Sequence, residues 1–278
     1  MNRPHSEIIR PEIILEDDHL IAVVKPAGLP TANAARTAAS MFTVLQAQRP
    51  SGAFLGVVSR LDAPVSGVLV MAKTRAAAAE LARQFRERLV EKTYAAVVEG
   101  RFPAPLGAWV DWHDRIERRG QERRSHLGSD RPAGRPAQGR SQERREGKPQ
   151  ALPDDDDGEV SGGECHVRAR VVKRQGEVSL VELVPSTGRR HQLRAQLAGK
   201  GCPIVGDRVY GARLPYASAP GLGAAIALHA QSLGFAHPHT GQPVWLESIG
   251  WPAAWTERFP SLFVGSDRPG RPLPPKKD

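Results

Sequence analysis

Apolar residues in this chain gather into short, β-branched runs divided by turn-forming residues, a pattern that predicts a mixed α+β domain with few helices. Ile13-Ile14-Leu15 and Leu20-Ile21-Ala22-Val23-Val24, parted by Glu16-Asp17-Asp18, predict two strands and a tight turn. Lys25-Pro26-Ala27-Gly28-Leu29-Pro30 follows as a breaker-rich loop, and Val68-Leu69-Val70-Met71-Ala72 predicts a buried strand. Ala78, Leu81, Ala82, Phe85 and Leu89 then recur at three- and four-residue spacing. They predict a helix from an N-cap at Thr74 to about residue 90, with Arg75, Arg83, Arg86 and Arg88 largely off its apolar face. Residues 91–99 read as a strand ending at Gly100, and 164–173 with 177–184 as paired strands around Arg174-Gln175-Gly176. Leu193 and Leu197 fit a short helix stopped by Gly199-Lys200-Gly201, and 225–233 is a buried strand or short helix.

Between these elements lies a stretch of another kind. Residues 115–159 hold almost no large apolar side chains and cannot bury enough surface to offset the entropy of ordering. They are expected to be a disordered insertion inside one domain that spans 1–265, either a passive spacer or, through its basic half, a contact for a polyanionic partner. The Pro-rich residues 266–278 form a loose tail. This division changes the meaning of the overall charge of +9. The insertion carries a net +1 and the tail +2, leaving +6 on the body, so the folded part itself favours a polyanionic partner. No apolar run approaches the roughly 18–20 residues that span a bilayer. Residues 1–11 lack the apolar region of a signal peptide. Cys165 and Cys202 show no Cys-x-x-Cys spacing, which argues against a disulfide framework or structural zinc and for a reducing cytoplasm.

The segment with the most chemistry is Ser59-Arg60-Leu61-Asp62-Ala63-Pro64-Val65-Ser66-Gly67, which sets a lone carboxylate beside an arginine at the mouth of the buried strand 68–72. Taken alone, such an Asp is a turn or cap residue. His229, His237 and His239 lie among prolines with no cysteine or clustered carboxylate nearby, so no metal site is expected. Neither a Gly-x-x-x-x-Gly-Lys-Ser/Thr phosphate loop nor a Gly-x-Gly-x-x-Gly turn is present.

Five segments together resemble the RluA family of RNA pseudouridine synthases. Ser59-Arg60-Leu61-Asp62-x-x-Val65-Ser66-Gly67 is similar to its His-Arg-Leu-Asp-x-x-Thr-Ser-Gly signature, and Lys92-Thr93-Tyr94-Ala95-Ala96 to its Lys-x-Tyr-x-Ala strand. Thr187-Gly188-Arg189-Arg190-His191-Gln192-Leu193-Arg194 resembles its Thr-Gly-Arg-x-His-Gln-(Ile/Leu)-Arg element. Gly201-Cys202-Pro203-Ile204-Val205-Gly206-Asp207-Arg208-x-Tyr210-Gly211 is similar to its later loop. Asp17-Asp18-His19-Leu20, followed by Lys25-Pro26-Ala27-Gly28, also has the family's form. The order is kept over roughly residues 13–240. Ser59 and Val65 depart from the usual His and Thr, and no S4-type domain is expected ahead of the pattern.

The resemblance implies a pseudouridine synthase fold: a mainly antiparallel mixed sheet with a few flanking helices and a central cleft. It implies isomerisation of uridine to pseudouridine in a structured rRNA or tRNA, breaking the N1–C1′ bond and forming a C5–C1′ bond. That reaction needs no cofactor. Asp62 would be the catalytic carboxylate, Arg194 the cation that keeps it ionised against the cost of leaving water, and Tyr94 a stacking ring with a hydroxyl for proton transfer. Arg60 would fill the stack vacated by a flipped base. Leu193, Arg189 and His191 would complete the RNA-binding set, with Leu193 at the base pocket or in the core. A monomer acting on an RNA stem-loop, with no membrane partner, is expected. Two other classes compete with this one: a non-catalytic RNA-binding or chaperone protein on the same fold, and a metal-dependent RNA hydrolase.

Overall fold

The computed structural model describes residues 9–33, 39–117, 125–128, 163–216 and 219–264. Its strands are β1 (Glu12–Glu16), β2 (Leu20–Lys25), β3 (Gly56–Val57), β4 (Ser66–Ala72), β5 (Glu91–Glu99), β6 (Trp109–Glu117), β7 (His126–Leu127), β8 (Gly163–Gln175), β9 (Val178–Pro185), β10 (Leu228–Ala236) and β11 (Pro243–Glu247). Its helices are α1 (Met41–Ala47), α2 (Arg75–Arg86), α3 (Gln192–Gly199) and α4 (Ala253–Arg258). The strands form one sheet in the order β1-β2-β4-β10-β5-β9-β8-β6-β7, with β3 on β4 and β11 on β10. Among these strand pairs β4–β10 is parallel and the others are antiparallel.

Alternation along β2 and β4 explains how the first half is built. Ile21, Val23, Leu69 and Met71 face Met41, Val44 and Leu45 of α1. Their neighbours Ala22, Val68, Val70 and Ala72 face the other way, toward Ala77 and Leu81 of α2. A strand covered on both faces must be apolar throughout, which is why 68–72 reads as an unbroken run. The larger core lies beyond β10, where Val97, Leu180, Leu183, Leu197, Ile204 and Trp255 pack together from β5, β9, α3, the following loop and α4. Each such side chain contributes roughly 1.5–3 kcal/mol by leaving water.

Several elements depart from expectation. The helix after Thr74 stops at Arg86 rather than near residue 90; Arg88 takes φ +60 and Leu89 is 56% exposed, so Leu89 leaves the apolar face. Helix α1, not anticipated, is nucleated by a Ser40–Thr43 capping box. The ambiguous 225–233 segment becomes strand β10, paired through Leu228–Gly234 with β5. The expected start of the insertion at 115 falls inside β6. Trp112 and Ile116 alternate inward there, with Ile116 beside Cys165 and Ala195, and His126–Leu127 pairs back on Ile116 and Glu117. The rest of that stretch, 118–124 and 129–162, and the tail from 265 onward lie outside the described residues.

Candidate active site

Asp62 sits on the loop between β3 and β4, whose backbone is tied at successive residues. Thr31 accepts at Oγ1 from the Leu61 N–H (3.1 Å) and donates to the Leu61 carbonyl (2.9 Å). The Ala63 carbonyl accepts from Gly28 N–H (2.7 Å) and Lys25 Nζ (3.2 Å), and the Pro64 carbonyl from Ile226 N–H (3.0 Å). Within the loop, Val65 N–H donates to the Asp62 carbonyl at 3.0 Å. With the main chain fixed on both sides, the carboxylate has little freedom beyond its own rotamers. Gly67 makes this placement possible. At φ +121 it lets β4 run against β10, and a Cβ there would lie 2.2 Å from the Ala230 carbonyl oxygen.

Arg194, on α3, reaches the loop from the other half of the sequence. Its Nη1 donates to Asp62 Oδ2 at 3.2 Å. Its Nε and Nη2 grip both oxygens of Asp207 at 2.7 and 2.9 Å, the two-point geometry a guanidinium favours. Burial opposes the Arg194 charge, yet the hydrogen bonds and charge of Asp207, with Asp62 adding to them, hold its pKa above the ordinary arginine value. Tyr210 supplies a ring 5.0 Å from the guanidinium. A second cation, Lys25, is fully buried. Its Nζ donates to the carbonyls of Pro26, Leu29 and Ala63 at 2.9, 2.7 and 3.2 Å. Burial pushes its ammonium down to about 7 against the opposing pull of Asp62.

Tyr94, on β5, stands close enough to feel the same carboxylate. Burial first, and the Asp62 charge second, push its phenol well above the ordinary value, so it is protonated at neutral pH. It lines a cavity of about 410 Å³ together with Arg60, Arg86, Arg88, Lys92 and Arg189, and no Asp or Glu is among the described lining residues. Burial, with Arg88 adding to it, lowers Lys92 to about 8. The Asp62 carboxylate, 28% exposed at its side chain, is open to solvent, whereas Asp207 is 1% exposed. A phosphate-rich ligand drawn to this cationic hollow would meet the Tyr94 ring.

The residues expected from the sequence thus divide. Asp62, Arg194 and Tyr94 come together; Arg60 and Arg189 line the adjoining cavity. His191 lies with its Nε2 3.6 Å from Asp62 Oδ2 and its Nδ1 3.1 Å from the Tyr210 hydroxyl. Leu193 is 8% exposed and packs in the main core, where Leu61 and Tyr94 adjoin it. Of the two departures from the family pattern, Ser59 lines the cavity and Val65 is core, 3% exposed. The sequence reading assigned no role to Asp207, Tyr210, Lys25 or Thr31. All but Thr31 stood in matched segments, so their register with the signature was the available signal. The histidines considered as a metal set do not converge. His229 is buried against Ser66 Oγ (2.8 Å), His237 Nε2 meets Asp17 Oδ2 (2.9 Å), and His239 stacks on His19. Among the described residues no group of three or more His, Cys, Asp or Glu is placed to hold a metal ion.

Comparison with known proteins decides the family. The model of the RNA pseudouridylate synthase family matches residues 19–199, which spans the Asp62 loop, the Tyr94 strand and the Arg194 helix. The chain belongs to this family. A dual-specificity RNA pseudouridine synthase RluA from Vibrio vulnificus is 34% identical over 273 residues, covering 96% of this chain and 92% of that protein. Ribosomal large subunit pseudouridine synthase C from the same organism is 31% identical, covering 84% of this chain and 63% of that protein. Among solved structures, human RNA pseudouridylate synthase domain containing 4 superposes with a TM-score of 0.63 at 24% identity, over 90% of this chain and 92% of that one, and shares its fold. This RNA pseudouridine synthase is therefore an isomerase acting on uridine in RNA, with the mixed sheet and few helices of its relatives. Among the described residues no helix is long and apolar enough to cross a membrane.

Proposed function

We propose that this synthase isomerises specific uridines in rRNA or tRNA stem-loops, with Asp62 as the catalytic carboxylate. The observation that carries this reading is the charge arrangement around Asp62. An arginine locked onto a second, buried carboxylate spends its remaining arm on Asp62 at 3.2 Å, beside a tyrosine at the edge of a cationic cavity. Arg194 orients by its 3.2 Å hydrogen bond the carboxylate that either attack at C1′ or assistance to the departing base requires. Tyr94, protonated and lining the cavity, offers a ring for the uracil and a hydroxyl that donates. The base is turned after the N1–C1′ bond breaks, C5 bonds to C1′, and the C5 proton leaves while N1 takes up a proton, so that the product stays an isomer of uridine. Arg60, exposed at the cavity mouth beside the loop, fills the space left in the RNA stack. Arg189 and the other cavity cations take phosphates, while Leu193 supports the floor from the core side. A relative named for the large ribosomal subunit supports rRNA as a substrate class, and one named a dual-specificity RNA pseudouridine synthase supports more than one RNA target.

The test uses total RNA from a strain lacking the protein. Purified enzyme is added without metal or cofactor, and new pseudouridines are mapped chemically. New sites that vanish with Asp62→Ala are the expected outcome. Modification that persists in Asp62→Ala removes Asp62 from the reaction, and binding without modification supports the RNA-chaperone reading instead.

A further inference from the structure

We infer that His191 is a positioning residue for Asp62, kept in one tautomer by Tyr210, and that Ser125 anchors this relay. The inference rests on the assignment of Asp62 above. Its first support is backbone strain. His191 adopts φ +56 and ψ 20 at the entrance of α3, and Arg88 is the other described non-glycine residue at positive φ. Side chains tolerate that conformation poorly and keep it where the surroundings dictate it.

The second support is the direction of the hydrogen bonds. Ser125 N–H donates to the Tyr210 oxygen at 2.7 Å, so the single Tyr210 proton can be given to His191 Nδ1 at 3.1 Å. A ring that accepts at Nδ1 carries its proton on Nε2, and Nε2 faces Asp62 Oδ2 at 3.6 Å. Arg194 Nη1 is hydrogen-bonded to that same oxygen, and the His191 ring stands on the same side of the carboxylate with Nε2 just beyond hydrogen-bond distance. Ser125 is itself fixed through its Oγ, which donates to the Arg190 carbonyl at 3.1 Å, and it directly precedes β7. Hydrogen bonds thus connect the β6–β7 excursion through Tyr210 to the His191 ring, whose Nε2 faces the Asp62 carboxylate.

Asp62 from the β3–β4 loop, Arg190 and Arg194 flanking His191, and Asp207 with Tyr210 from the loop after α3 are the charged and titratable groups that face this ring. Burial, together with the two arginines, outweighs the carboxylates and keeps His191 neutral, as the relay requires.

Two measurements test it. In a nitrogen-15 spectrum of histidine-labelled enzyme at pH 7, the His191 signal, identified by its loss in His191→Asn, should report the neutral Nε2–H tautomer. Asn is chosen because it accepts the left-handed conformation. An Nδ1–H or charged ring in the wild type overturns the inference. Tyr210→Phe keeps the ring against Arg194 and removes only the hydroxyl. Tritium release from [5-³H]uridine-labelled total RNA of a strain lacking the protein should slow about tenfold under single turnover. RNA binding should stay within about twofold, and the acid limb of the rate profile should move up by about one pH unit as Nδ1 gains a proton. A profile superimposable on the wild type refutes the relay, because a purely structural tyrosine would not set it. If Tyr210→Phe does not fold, the wild-type spectrum still decides. Activity retained in Asp62→Asn instead refutes the catalytic assignment, whatever tautomer is found.

Discussion

Two buried cations approach the Asp62 loop from opposite halves of the chain, and they behave differently. Arg194 is forked onto Asp207 and also reaches Asp62, so the protein holds its charge more firmly than water does. Lys25 is just as hidden but donates its hydrogen bonds only to neutral carbonyls, and burial outweighs the pull of Asp62 and brings its ammonium down to about 7. The difference follows from their partners. A carboxylate repays the cost of burying a cation, whereas carbonyl dipoles repay only part of it. The two sides therefore do separate jobs: Arg194 sets the charge of the site, and Lys25 holds its backbone in place.

The largest way to break this contrast is Arg194→Met. It strands the buried Asp207 carboxylate, so unfolding free energy should drop by roughly 3–5 kcal/mol in a urea titration, with pseudouridine formation lost as well. Next, Asp62→Asn removes the charge that both cations face. Single-turnover product formation should fall at least about a thousandfold. The folded state should lose less than about 1 kcal/mol, since the carboxylate is partly exposed.

Lys25→Met probes the other side through pH. In the wild type the folded-state pKa is about 7, below the unfolded value of about 10.5. Between those values the unfolded chain holds a proton that the folded one lacks, so Lys25 makes stability rise with pH, by at most about 1.4 kcal/mol per unit. Below pH 7 both states hold the proton and the dependence ends. Urea midpoints at pH 7 and 9 should therefore separate in the wild type and draw together in Lys25→Met; an unchanged gap would mean that Lys25 stays charged.

The smallest effect concerns the two departures in the signature loop. Val65→Thr, which restores the family's usual residue, places a hydroxyl in the core and should cost about 1–3 kcal/mol of stability. The departure at Ser59 faces the cavity, so changes there should appear in RNA-binding measurements rather than in melting.

Much of this was legible in the chain itself. Alternation and β-branched runs located β2, β4, β5, β8 and β9, and Thr74 with its apolar spacing located α2, because these signals are local and periodic. The segments holding Asp62, Tyr94 and Arg194 matched family motifs in order, which picked out the candidate reacting groups before any geometry was known. Helix α1 and strand β6, which runs past residue 115, were missed. The first is seven residues long, and the second enters a composition that resembles unfolded chain until its partner β8 is present.

The sequence by itself therefore determined which residue types occupy the strands and which are candidates for the chemistry, since periodicity and side-chain identity are written locally. Only the tertiary structure decided how they meet. It set Arg194 between Asp62 and Asp207, sent Val65 into the core while leaving Ser59 in the cavity, stripped Lys25 of water, and turned His191 toward Asp62. Distance, burial and the direction of a hydrogen bond belong to groups far apart in the chain, and they come into being only when the sheet brings those groups within reach.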